Sequence, residues 1–236
     1  MTADSHPVVG ILGGMGPQAT VDLMRRVVAA TPADDDADHI HLIVDNNPKV
    51  PSRIRALIDE TGESPLPTLQ AMARRLAAAG AGLLAMPCNT AHYYLPGIRE
   101  AVNIPVLDMI ALTVERLRAM GVKRVGLLAS SAVPKLGLYE RALAEHGIAM
   151  AVPAGQDGLM GVIRAVKRGD QGESVRGAFR DIAGQLRGEG VDCLVIACTE
   201  LSVLVDSLDR DMPVLDAMDV LVAEIVAFGT GAAPNL

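Results

Sequence analysis

Two cysteines of this 236-residue chain stand in matching surroundings. Leu83-Leu84-Ala85-Met86-Pro87-Cys88-Asn89-Thr90 returns as Cys193-Leu194-Val195-Ile196-Ala197-Cys198-Thr199-Glu200, an offset of 110. In each segment a short apolar run reads as a buried strand, and the cysteine follows it where a helix is expected to begin. Ligands of parallel sheets bind at the carboxyl ends of strands. A thiol at a helix N-terminus also feels the positive end of the dipole, which predicts a lowered pKa and an accessible thiolate. Thr90 and Thr199 add hydroxyls able to hydrogen-bond a thiolate or a carboxylate. Two equivalent acid–base groups on opposite faces of a site suit the inversion of a stereocentre: one thiolate removes a proton and the opposite thiol delivers one. Cys193 lies inside its strand and has no mate in the other segment, so it reads as a small apolar packing residue.

The elements that must position these thiols alternate along the chain. Strands are expected at 8–12, 40–44, 82–86, 105–107, 125–129, 148–153, 193–197 and 214–215, apolar on both faces as buried parallel strands are. Helical periods fall at 19–30, 66–79, 91–101, 109–120, 135–145, 158–167, 172–187 and 218–228. This alternation predicts an α/β protein with parallel sheets covered by helices. Two further segments repeat in the same order: Val9-Gly10-Ile11-Leu12 as Val125-Gly126-Leu127-Leu128, and Ile104-Pro105-Val106-Leu107-Asp108 as Met212-Pro213-Val214-Leu215-Asp216. Offsets of 116 and 108 beside the 110 of the cysteine segments predict two similar α/β domains, 1–112 with Cys88 and 113–215 with Cys198. They would be related by a pseudo-twofold axis, with the active site in the cleft between them. The last helix, 216–236, can pack back on the first.

Composition narrows the function. The net charge is −7 and no basic stripe is present, which argues against nucleic acid or an anionic membrane as partner. Aromatic residues make up only 2% and Trp is absent, so no base-stacking platform is expected. Three cysteines cannot all pair, the N-terminus carries no signal-peptide pattern, and no apolar run approaches the roughly 20 residues of a membrane span. A reduced, soluble, cytoplasmic protein is expected.

The residues around both cysteines are similar to a known family. Met86-Pro87-Cys88-Asn89-Thr90-Ala91-His92 and Ala197-Cys198-Thr199-Glu200 resemble the two signature segments of the aspartate/glutamate racemase superfamily. Gly13-Gly14-Met15-Gly16-Pro17, Asn46-Asn47-Pro48 and Arg53 in Val50-Pro51-Ser52-Arg53 resemble its aspartate racemases. The resemblance implies interconversion of L- and D-aspartate without a cofactor or metal, in a fold of two pseudo-symmetric domains that is usually dimeric. It implies that Cys88 and Cys198 are the two bases and that Arg53 and Lys167 hold the side-chain carboxylate. It assigns Asn89, Thr90 and Thr199 to the α-carboxylate or α-amino group, and adds Met15, Gly16 and Glu200 to the substrate-binding residues. Ser52 and Ile163 depart from the family pattern, which often has an acidic residue before the Arg and can have a Tyr in the helix before the Lys.

Other readings stay open at this stage. On the same scaffold they are a racemase of glutamate or other amino acids, an isomerase or a decarboxylase. Outside it, Gly14-Met15-Gly16-Pro17-Gln18-Ala19 satisfies G-x-G-x-x-A, with Asp45 as a ribose-binding acid, the pattern of a nicotinamide-dinucleotide oxidoreductase. Pro17 removes an N–H from that turn, however, and Asp45 lies 29 residues beyond Gly16 where about 20 is usual. A non-catalytic amino-acid-binding protein is the remaining alternative. His92 follows Cys88 by four and reads either as its neighbour one helical turn on or as a surface histidine.

Overall fold

The computed structural model describes residues 7–209 and 211–235. They form an α/β fold with two parallel sheets. The first sheet holds β1 (Val9–Gly13), β2 (Leu42–Asn46) and β3 (Leu83–Ala85) in the order β2-β1-β3. The second holds β4 (Arg124–Ala129), β5 (Ala149–Ala151), β6 (Cys193–Ala197) and β7 (Val214–Asp216) in the order β5-β4-β6-β7. By packing, the first compact unit takes the chain through Pro87, then Tyr94–Asp108, and again from Leu221. The second takes Cys88–Tyr93 and Met109–Val220, so both Cys88 and Cys198 belong to it.

The second sheet shows why its strands read as continuous apolar runs. Alternate residues point to opposite faces of a strand, and here both faces are buried. Leu128, Leu194 and Ile196 pack with Leu159, Val162, Phe179 and Leu186 of the helices Gln156–Lys167 and Glu173–Gly188. Val125, Leu127, Cys193 and Val195 pack on the other side with Val114 and Leu117 of the helix Met109–Ala119 and with Tyr139 and Leu143. Cys193 is thus a core residue, and burial pushes its thiol up to about 11.

The sequence repeat is a repeat of packing. Gly10 of β1 pairs with Leu84 of β3, and Gly126 of β4 pairs with Leu194 of β6. A Cβ on Gly10 would lie 2.6 Å from Leu84 Cδ2 and 3.1 Å from Leu76 Cβ; one on Gly126 would lie 2.9 Å from Leu194 Cδ2 and 3.2 Å from Leu186 Cβ. In both places a helix crosses so near the central strand that only glycine fits beneath it. The third repeat differs: Val214–Asp216 is a strand, whereas Val106 makes only an isolated bridge to Leu84 instead of the strand expected at 105–107.

Helices depart from expectation mainly around the cysteines. The helix expected at 91–101 is a 3-10 segment, Asn89–Tyr94, followed by the short helix Leu95–Arg99. The region 135–145 divides into Ala132–Lys135 and Glu140–Glu145. After Cys198 comes another 3-10 segment, Leu201–Ser207. Among the described residues no helix is long and apolar enough to cross a membrane.

Candidate active site

In an open parallel sheet the crevice for ligands opens where successive connections leave a strand in opposite directions. In the second sheet that point lies between β4 and β6, because β5 and β6 flank β4 on opposite sides. Ser130 follows β4 and Cys198 follows β6. In the first sheet the same point lies between β1 and β3, followed by Gly14-Met15-Gly16 and by Met86-Pro87-Cys88.

Cys88 and the residues after it are buried and tied down on several sides. The Cys88 carbonyl lies 2.9 Å from His92 Nδ1, and the Met109 N–H donates to His92 Nε2 over 3.1 Å. Because Nε2 accepts, the proton is on Nδ1, and the ring donates to Cys88. His92 is therefore a buried brace rather than a surface residue. Thr90 Oγ1 and Ser130 Oγ share a hydrogen bond of 3.0 Å. Tyr139 donates its hydroxyl proton to Asn89 Oδ1 over 2.7 Å. Asn89 Nδ2 is buried with no hydrogen-bond partner among the described residues. A native interior seldom leaves such a donor unmatched, so it marks a place for an acceptor.

Cys198 is buried to the same degree as Cys88. Its Sγ donates to Glu200 Oε2 over 3.2 Å, and Lys167 Nζ lies 3.4 Å from Glu200 Oε1. Glu200 is buried while the Lys167 side chain is about half exposed. Burial, then the charge and hydrogen bond of Glu200, push the Cys198 thiol well above its ordinary value; Lys167 opposes them. This corrects the expectation of a thiol acidified by a helix dipole. Burial is the largest cause, with the adjacent carboxylate next. Lys167 is correspondingly paired with Glu200, and Thr199, between Cys198 and Glu200 in sequence, is buried.

In the first unit, Arg53 opens the short helix Arg53–Leu57, and Ser52 is its N-cap, its hydroxyl accepting from the Arg55 N–H. The position that departs from the family pattern thus has a capping role. Arg53 Nη2 donates to the Met15 carbonyl and Nη1 to the Pro51 carbonyl, each over 3.1 Å, while Nε is buried without a partner among the described residues. Thr20 holds the loop: its Oγ1 accepts from Gly14 N–H at 2.9 Å and donates to Gly16 O at 3.2 Å. Gly14 has φ +91°, and a Cβ there would strike the Asn47 backbone at 2.2 Å. This glycine loop is packed against its own chain. Asp45 accepts from Arg75 Nη2 at 2.6 Å, so it is engaged in an ion pair rather than open to a ribose. The dinucleotide reading loses both of its features. Ile163, at the other departure, is a core residue.

Sequence reasoning did not find Thr20, Ser130 or Tyr139. Their partners lie six, 40 and 50 residues away, and only the folded chain brings them together. Among the described residues no group of three or more acidic, His or Cys side chains could hold a metal ion.

Comparison with known proteins gives a consistent family. The model of the Asp/Glu/hydantoin racemase family matches residues 12–225. The structure of Picrophilus torridus aspartate racemase superposes with a TM-score of 0.88 at 32% identity, covering 97% of this chain and 96% of that one. A broad-specificity amino-acid racemase of Bacillus subtilis is 24% identical over 93% of this chain and 97% of its own. A glutamate racemase of Shewanella woodyi is 26% identical over 87% of this chain and 73% of its own.

Proposed function

The chain belongs to the Asp/Glu/hydantoin racemase family and is an amino-acid racemase; on that premise, we propose that it interconverts L- and D-aspartate by two-base proton transfer between Cys88 and Cys198. The observation that carries this reading is the equivalence of the two thiols. Each follows the strand that pairs with the central glycine-bearing strand of its sheet, at the crevice end. Two matched acid–base groups fit a reaction whose forward and reverse directions are mirror images.

One thiolate and one thiol are needed at the start. Burial and the Glu200 carboxylate favour the protonated Cys198 thiol, so in this reading Cys198 starts as the acid and the matching thiol at Cys88 receives the α-proton. Cys88 takes the α-proton as the C–H bond breaks and its electrons form a planar carbanion; Cys198 then gives its proton to the opposite face. The pair ends exchanged, ready for the other enantiomer. The chemistry calls for no cofactor. Stabilising the carbanion requires oriented donors in a water-poor site, and the unpartnered Asn89 Nδ2 and Arg53 Nε are the donors we assign to the substrate's α-carboxylate and side-chain carboxylate. Thr90 and Thr199, with the Met15–Gly16 backbone, complete the polar lining in this reading, and Lys167 acts on the substrate side while paired with Glu200. The similarity to an aspartate racemase at 32% identity over nearly the whole chain favours aspartate. Glutamate is the second reading, favoured by the glutamate racemase match. One methylene separates the two, worth about 1–3 kcal/mol in a pocket. The same reading takes the enzyme as a cytoplasmic homodimer with its three cysteines reduced. Racemisation assays on Cys88→Ala and Cys198→Ala test the mechanism: each change should abolish turnover, and turnover near the wild-type rate in either would overturn it.

A further inference from the structure

We propose that Tyr139 is a positioning residue of this site, setting which face of the Asn89 carboxamide meets the substrate. The inference rests on the racemase reading above. An asparagine amide presents an acceptor on one side and two donors on the other, and the two orientations have nearly the same shape. Tyr139 is fully buried in the core of the second unit, and its hydroxyl donates to Asn89 Oδ1 over 2.7 Å. That bond uses the acceptor side and leaves Nδ2, buried and unpartnered one residue from Cys88, as a donor. A carboxylate is the group that such a donor would take; an ammonium would have to share the oxygen that already accepts from Tyr139. Thr90 is held in the same manner by Ser130, so both residues after Cys88 are oriented by side chains following β4.

The test is a double-mutant cycle of wild type, Tyr139→Phe, Asn89→Ala and the double variant, read as kcat and KM for aspartate and as Kd for succinate, a dicarboxylate that cannot racemise. Asn89→Ala should raise KM and the succinate Kd by about 10–100-fold, the range of a lost hydrogen bond to a charged group. Tyr139→Phe should raise both about tenfold with a smaller change in kcat. In the Asn89→Ala background it should add nothing, because it acts through that amide. Additive effects in the cycle, or a Tyr139→Phe enzyme with unchanged KM and Kd, overturn the proposal. Should Tyr139→Phe prove unfolded by its melting curve, succinate binding to Asn89→Ala and Asn89→Asp decides: Asp at 89 must bind succinate more weakly than Ala does, and equal or tighter binding overturns it. A wild type that binds succinate but does not racemise aspartate overturns the proposed function and leaves the succinate cycle to judge Tyr139. A wild type that does neither overturns both.

Discussion

Cys198 and Glu200 form a hydrogen-bonded pair, thiol donor to carboxylate acceptor, 3.2 Å apart and buried from solvent, with the Lys167 ammonium on the far oxygen. A buried negative charge beside a thiol opposes its ionisation. The pair therefore favours the protonated form of Cys198, the state that the proposed acid would need before turnover.

Replacing Glu200 by Gln keeps an acceptor near the sulfur and removes the charge. The Cys198 thiol should then ionise at lower pH. Peptide-resolved alkylation by iodoacetamide at pH 8 should be faster at Cys198 by at least severalfold, since each unit of pKa gives about a tenfold change in thiolate. The alkaline limb of the racemisation profile should move the same way. Unchanged alkylation would contradict the pairing.

Arg53 is tied by two of its nitrogens to the Met15 and Pro51 carbonyls, and its buried Nε has no partner among the described residues. Lysine cannot reproduce that fork. Arg53→Lys should raise KM for aspartate by about 10–100-fold while kcat changes less. Steady-state kinetics checks it, and an unaltered KM would remove Arg53 from the substrate.

Cys193 gives a pH effect on stability. Its folded thiol is pushed up to about 11 by burial. Below the ordinary thiol pKa of about 8.5 it is protonated in both states and its contribution is intact. As pH rises the unfolded chain ionises first, so stability falls until the folded pKa is passed, by at most about 3 kcal/mol. Melting temperatures measured from pH 8 to 11 should fall more steeply for wild type than for Cys193→Val. Parallel slopes would contradict this.

The packing repeat predicts paired defects. Gly10→Ala and Gly126→Ala each put a methyl group into the helix above, with the closer contact at Gly10. Overpacking of this kind costs about 1–3 kcal/mol. Urea unfolding should show both variants destabilised, Gly10→Ala the more, and wild-type stability in either would contradict the close approach.

What was legible in the sequence followed from local pattern. The apolar runs marked strands, and the ordered repeat of Val-Gly, strand-Cys and Pro-Val-Leu-Asp segments marked two similar sheets. The 3-10 form of Asn89–Tyr94 was not legible, because periods of 3.0 and 3.6 are indistinguishable over six residues. The raised thiol of Cys198 was missed for a related reason. A dipole can be read from position in sequence, whereas enclosure and the turn of Glu200 toward sulfur depend on packing. Tyr139 and Ser130 carry no motif of their own; their meaning comes from contacts with Asn89 and Thr90 made across 50 and 40 residues.

The central claim is tested most directly by proton NMR of L-aspartate, and separately of L-glutamate, with the reduced enzyme in D₂O and no added cofactor, followed by chiral analysis of the same tubes. The account predicts loss of the α-proton signal together with appearance of the D-isomer, faster for aspartate than for glutamate. An α-proton signal that persists for both amino acids, with the thiols shown to be reduced, would contradict it.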